Sequence, residues 1–236
     1  MALYRKILPF AVSLFLLSEA LLGYFLQTAD GTIVPTLQFS AVLLACAFCA
    51  VFAERSLAYL FTQVALLCTV GADWFLVMQQ PPQQLFGMLF FSVVQISYFL
   101  RLFLDDKNRT RRIVHLCVRL ALSAAALAAT ALVLRENADA VALVSMFYYA
   151  NLLLNVVFAW IEAERPFLFP IALSLFAVCD AVIGLGFLGD YIALADAAWL
   201  DRLIHPGFDL AWACYLTAQA LLAISLLPRR IRARLP

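Results

Sequence analysis

The sequence predicts an all-α integral membrane protein: one transmembrane domain over residues 1–236, built as a bundle of about eight helices. Three observations lead there. First, 66% of the residues are hydrophobic and mean hydropathy is +0.96, whereas soluble domains sit nearer half apolar. Second, only 13% are charged, about half the usual share, too few to cover a surface in water. Third, apolar runs of roughly 20 residues recur eight times, each long enough to cross a ~30 Å hydrocarbon core. Lipid offers no partner to an open backbone donor, so each run must be helical. A net charge of +1 and this solvent make nucleic acid an unexpected partner; the bilayer itself is the expected one.

The spans fall at about 8–27, 34–53, 56–77, 84–104, 110–134, 139–161, 167–188 and 208–228. Arg5-Lys6 precede the first. Its run is long, contains Glu19 and lacks a small-x-small cleavage site, so it reads as a span and not a signal peptide. Asp30-Gly31 ends it. Glu54-Arg55 splits the second span from the third, and Pro81-Pro82 closes the third. Asp105-Asp106-Lys107-Asn108 closes the fourth, and Glu164-Arg165-Pro166 separates the sixth from the seventh. The longest connection, about 189–207, carries Asp190, Asp196 and Asp201 among Tyr191, Trp199 and Ile204. It suits either a short interfacial helix or a plain connector. Eight Gly and nine Pro leave no room for a low-complexity tail. The six cysteines (46, 49, 68, 117, 179 and 214) all lie in apolar runs, Cys46 and Cys49 separated by two residues within one span with no His nearby, and read as packed thiols.

Orientation follows from Lys and Arg. With the N-terminus inside, the inner segments hold Arg5, Lys6, Arg55, Arg101, Lys107, Arg109, Arg111, Arg112, Arg165, Arg229, Arg230, Arg232 and Arg234. The outer segments hold Arg135 and Arg202, and Arg119 lies within the fifth span: 13 against 2 with one inside a span, the full 16. That asymmetry puts both termini in the cytoplasm of a bacterial inner or plasma membrane. The basic tail suits anionic lipid head groups.

A repeat is suggested. The third span ends on Asp73 and the seventh contains Asp180. The fourth has Gln95 mid-span, and the eighth has Gln219. Four spans per half would give a parallel 4+4 repeat. Both Asp-bearing spans would then run outward, leaving the two acids at similar depth in the outer half.

Ionisable groups in hydrocarbon are costly and read as functional by default. Here they are Glu19, Asp73 and Asp180. Around them run polar stripes at helical spacing: Glu19, Gly23 and Gln27; Ser92, Gln95 and Tyr98; Tyr148, Asn151 and Asn155; Trp212, Tyr215 and Gln219. The stripes would line a single central cavity. The plain alternative is interhelical hydrogen bonding, to which Asn151 and Asn155 are well suited. His115 and Arg119, one turn apart, read as a cytoplasmic-side anchor.

Three stretches carry a resemblance: Gly71-Ala72-Asp73-Trp74-Phe75-Leu76, Phe91-Ser92-Val93-Val94-Gln95-Ile96-Ser97-Tyr98, and Val178-Cys179-Asp180-Ala181-Val182-Ile183. Tyr215-Leu216-Thr217-Ala218-Gln219 extends it. The chain resembles the YhhN/lysoplasmalogenase family of membrane proteins. It departs from that pattern in having Ala72 between Gly71 and Asp73, Gln95 in place of a His, and Cys179 in place of a Ser. The resemblance implies hydrolysis of the vinyl-ether bond of a lysoplasmalogen, so the expected partner is a lipid substrate. Asp73 and Asp180 would be the catalytic acid/base pair. Glu19, Gln95, Tyr98, Asn151, Asn155, Tyr215 and Gln219 would bind substrate. No nucleotide, metal or redox cofactor is indicated. The competing readings are a small-solute or proton-coupled transporter, disfavoured because no span has a central Pro, a non-enzymatic membrane scaffold, and an intramembrane aspartyl protease, which lacks its Gly-x-Gly-Asp in Val70-Gly71-Ala72-Asp73.

Overall fold

A computed structural model describes residues 2–29, 31–163, 167–191 and 207–228, with residues 2–6 described by backbone alone. The described residues are helical, 87% overall, and contain no strand. The helices are α1 (Ala2–Thr28), α2 (Val34–Phe52), α3 (Leu57–Asp73), α4 (Gln84–Asp105), α5 (Arg109–Leu134), α6 (Ala140–Ile161), α7 (Leu168–Gly186) and α8 (Leu210–Ser225). Side-chain caps start four of them. Ser56 accepts from the Tyr59 amide, Asn108 from Arg111, Asp139 from Ala142 and Asp209 from Trp212. Each satisfies a first-turn N–H that has no intrahelical acceptor. Pro35 starts α2, where a missing N–H costs nothing.

Among the described residues seven helices are long and apolar enough to cross a membrane, and with this composition the chain is an integral membrane protein. Two spans differ from the sequence reading. The third is not uniform: the α-helix ends at Asp73 and continues as a π-helical turn, Trp74–Met78. The eighth is shorter than 208–228. Its 16 helical residues rise ~24 Å, short of the ~30 Å core. Asp209 caps one end, and the chain turns at Leu226 at the other, where the Leu226 carbonyl accepts from the Glu54 amide at 2.8 Å. The short helix is thereby tied under the α2–α3 connection. Residues 164–166, 192–206 and 229–236 lie outside the described residues, and with them the Glu164-Arg165-Pro166 break, most of the long connection and the basic tail.

Neighbour relations repeat after four helices. α1 packs on α2, α2 on α3 and α3 on α4. Likewise α5 packs on α6, α6 on α7 and α7 on α8. The halves join where α4 meets α6 and where α8 meets α2. The result is a ring of α2, α3, α4, α6, α7 and α8, with α1 leaning on α2 and α8, and α5 leaning on α6. Matching contacts recur as well. Phe15 stacks on Phe48 across α1 and α2, and His115 stacks on Phe158 across α5 and α6. Four residues beyond Phe15 stands Glu19; four beyond His115 stands Arg119. This is the arrangement expected of a parallel 4+4 repeat.

Apolar side chains cover the outside, as a lipid solvent requires; Leu132 on α5 is 75% exposed. The interior is closed by aromatic rings. Phe91 of α4 stacks on Tyr148 of α6 and meets Phe176 of α7 edge-on; Phe176 in turn meets Tyr215 of α8. α3 and α4 approach closely through glycines. A Cβ on Gly71 would stand 2.7 Å from the Phe90 ring, and one on Gly87 would overlap Leu76 of the π turn.

Candidate functional site

Asp73 is the last α-helical residue of α3, where the helix widens into its π turn, a feature that recurs at functional sites. Its carboxyl is buried, and Oδ2 accepts from the Tyr215 hydroxyl at 2.8 Å. Across the ring, α7 presents Asp180 one turn after Phe176, whose ring meets both Tyr215 and Phe91. The Tyr148 hydroxyl faces the Asp180 carboxyl. Asp180 Oδ2 is shielded from solvent and has no hydrogen-bond partner among the described residues, while the residue as a whole is only half-buried. A row of rings joins the two sides: Tyr215, bonded to Asp73, meets Phe176, Phe176 meets Phe91, and Phe91 stacks on Tyr148. Two acids from different halves of the chain, each faced by a tyrosine, therefore flank one aromatic row.

The other expected site residues divide into separate groups, so the polar stripes do not line one cavity. Asn151, Asn155 and Gln95 gather around Arg119. The guanidinium donates to Asn151 Oδ1 and to Asn155 Oδ1, both at 2.6 Å, and stands 3.1 Å from His115 Nε2. Asn155 Nδ2 donates to the Gln95 carbonyl and to Gln95 Oε1, and Asn151 Nδ2 donates to Ser123. Arg119 is thus no cytoplasmic-side anchor. It is 6% exposed, inside the bundle, where its fork fits two amide oxygens one turn apart on α6. The signal was present in the sequence: a cationic pair at i, i+4 on one helix and an Asn pair at i, i+4 on the next.

Tyr98 is buried against Phe169, its hydroxyl unpartnered among the described residues. Gln219 is buried on α8 with neither amide atom partnered among them. Glu19 stands apart, in a groove between α1 and α8. Arg101 had counted as a loop charge, but it too is buried. It donates to Thr62 and Ser225, and lies 3.7 Å over the Phe169 ring, so it joins α3, α4, α7 and α8. Sequence reading also left Tyr148 among the stripe residues and outside the site, because only the fold turns its hydroxyl to Asp180. All six cysteines are free thiols. Among the described residues no three His, Cys, Asp or Glu side chains converge as metal ligands would.

The fold and this site define a polytopic α-helical membrane protein with a pair of buried carboxyls at its centre. The chain belongs to the YhhN family, whose model matches residues 37–226. That span runs from α2 to the end of α8, taking in both aspartates and leaving out α1. No curated protein and no solved structure matches the chain.

Proposed function

We propose that the protein is a membrane-embedded hydrolase of lyso-ether lipids that cleaves the vinyl-ether bond of lysoplasmalogen. The observation that carries this reading is that Asp73 and Asp180, from α3 and α7, flank one aromatic row, each faced by a tyrosine hydroxyl. Vinyl-ether cleavage begins with protonation of the alkene carbon farther from oxygen, the one that carries the alkyl chain, which leaves an oxocarbenium ion. Water then adds to the carbon bearing oxygen and gives up a proton. The hemiacetal collapses to a fatty aldehyde and the glycerol hydroxyl of the head group. One carboxylic acid supplies the first proton, and one carboxylate stabilises the cation and takes the proton from water, the division of labour that paired acids perform in glycosidases. Different environments separate the two roles. Asp73 receives a direct hydroxyl donor, whereas Asp180 Oδ2 has no partner among the described residues. Trp212 and Tyr215 supply an amphipathic wall, and the Gln219 amide, unpartnered among the described residues, can orient the head group. The Lys/Arg asymmetry supports cytoplasmic termini.

A second reading, a proton-coupled transporter, draws support from the parallel repeat. One experiment separates them. Purified protein is incubated with lysoplasmalogen and aldehyde release is followed. The hydrolase reading expects turnover that Asp73→Asn and Asp180→Asn abolish. Wild-type release no greater than that of Asp73→Asn would sink it.

A further inference from the structure

Between α1 and α8 lies a groove of about 460 Å³, within the range of small-molecule sites. Apolar residues form most of its walls, including Leu16 and Ala20 on α1 and Leu216 and Ala220 on α8. Its lip is open: Leu16 is 40% and Tyr24 64% exposed. At one end a two-bond clasp holds the helices together, Gln27 Nε2 to the Asp209 carbonyl at 3.0 Å and the Asp209 amide to Gln27 Oε1 at 2.8 Å. Gly23 keeps the floor open, for a Cβ there would meet only Leu216, at 3.7 Å.

One residue contradicts an apolar groove. Glu19 lines it at 6% exposure, and neither of its carboxyl oxygens has a hydrogen-bond partner among the described residues. Buried polar atoms are nearly always partnered, and an acid at membrane depth is expensive to keep. The repeat sharpens the point. At the matching place in the second half, Arg119 donates to Asn151 and Asn155, seven and three residues before Phe158, whereas seven and three residues before Phe48 α2 carries Ala41 and Ala45. A carboxyl so placed answers to a donor brought by a ligand.

We propose that the α1–α8 groove binds a single-chain lipid. Its alkyl chain lies along Leu16, Ala20, Leu216 and Ala220, and a hydrogen-bond donor of its polar end, hydroxyl or ammonium, rests on Glu19. Two helices held by a clasp at one end leave width for one chain. One wall residue links the groove to the acid site: Trp212 meets the Tyr215 ring edge-on at 5.0 Å, and Tyr215 donates to Asp73. This inference deepens the hydrolase reading by seating its substrate class, and it rests on that reading only for the connection to catalysis.

The test is native mass spectrometry of the full chain in detergent, titrated with ester-linked 16-carbon lysophosphatidylethanolamine, lysophosphatidylglycerol and diacyl phosphatidylethanolamine. An ester probe cannot be cleaved as a vinyl ether, so binding is read whether or not the chain is a hydrolase. Both lyso-lipids are expected to bind, the diacyl lipid more weakly. Glu19→Met removes the acceptor together with an unpaired polar atom. It should weaken binding about tenfold, the value of one hydrogen bond to a charged group, while Tm holds or rises. Gly23→Leu should fill the groove and abolish binding. Glu19 dependence for both lyso-lipids assigns the donor to the glycerol hydroxyl; dependence for the ethanolamine lipid alone assigns it to the ammonium. Unchanged binding in both variants, equal binding of the diacyl lipid, or a Tm loss in Glu19→Met that accounts for its weaker binding would overturn the proposal.

Discussion

Gly71 offers a direct test of how the acid pair is positioned. It lies two residues before Asp73, where α3 and α4 come closest. A Cβ there would stand 2.7 and 2.9 Å from two atoms of the Phe90 ring, well inside ordinary carbon contact at ~3.5–4.0 Å. Phe90 is hemmed in, because Phe75 stacks on it at 5.7 Å and itself meets Phe86, tilted, at 5.4 Å. The whole aromatic row must shift, or α3 must back off and carry Asp73 with it. Overpacking of this kind costs ~1–3 kcal/mol. Gly184, near the end of α7, has nothing within 4 Å of its Cβ position. Gly→Ala there should be neutral or stabilising by up to ~1 kcal/mol through helix propensity. The same substitution therefore has opposite signs at two sites. Thermal unfolding in detergent reads both: Gly71→Ala should lower Tm by about 2–12 °C, at 2–4 °C per kcal/mol for a chain of this size, and Gly184→Ala should not lower it. Aldehyde release should fall in Gly71→Ala alone. Equal Tm values for the two variants would refute the claim that this close approach positions Asp73.

Three further outcomes are expected. Arg119→Met strands the Asn151 and Asn155 oxygens and should destabilise by ~1–3 kcal/mol, with Arg119→Lys intermediate because an ammonium lacks the fork; a denaturant titration shows it. Tyr215→Phe removes the donor to Asp73. It should depress kcat for aldehyde release more than KM, with Tm within about 3 °C of wild type; an equal loss of Tm and rate would assign Tyr215 to packing alone. At the α4–α5 turn, Arg111 Nε and Nη2 each donate to Asp106 at 2.6 Å and hold its carboxyl at about 2, so its contribution is present above the usual carboxylate range and is lost as pH falls through about 2. Burial and the nearby Asp106 push Glu162 the other way, to about 7. The folded state then holds a proton the unfolded chain releases, and stability drops as pH rises from about 4.5 to 7. Glu162→Gln should therefore raise Tm at pH 8 and leave it nearly unchanged at pH 4; a Tm gain independent of pH would reject this account.

Most of the scaffold was legible from composition and spacing. An apolar run of ~20 residues has one stable form in lipid, so helix existence did not depend on what each helix touches. Breaks were legible as charge and turn residues at Glu54-Arg55, Pro81-Pro82 and Asp105-Asp106-Lys107-Asn108; the caps at Ser56, Asn108, Asp139 and Asp209 that start the helices act within one turn. The same locality explains why Asp73 and Asp180 stood out: an acid at membrane depth is costly wherever its helix packs. The repeat was readable too, as an Asp helix followed by a Gln helix in each half.

Partnership was not legible. The sequence placed polar residues on faces, but which face meets which is decided by the ring of helices, over separations of up to 182 residues in the Gln27–Asp209 clasp. That ring sent Asn151 and Asn155 to Arg119, turned Tyr148 to Asp180 and Tyr215 to Asp73, and left Glu19 in the α1–α8 groove with neither carboxyl oxygen partnered among the described residues. The π turn after Asp73 and the early end of α8 likewise depend on contacts with α4 and with the α2–α3 connection. The sequence by itself determined the solvent, the helices and the expensive acids, because those follow from local chemistry and the thickness of a bilayer. Only the tertiary structure decided which polar groups satisfy one another, because a hydrogen bond inside lipid needs its partner within about 3 Å, and no spacing along one helix can specify a neighbour on another.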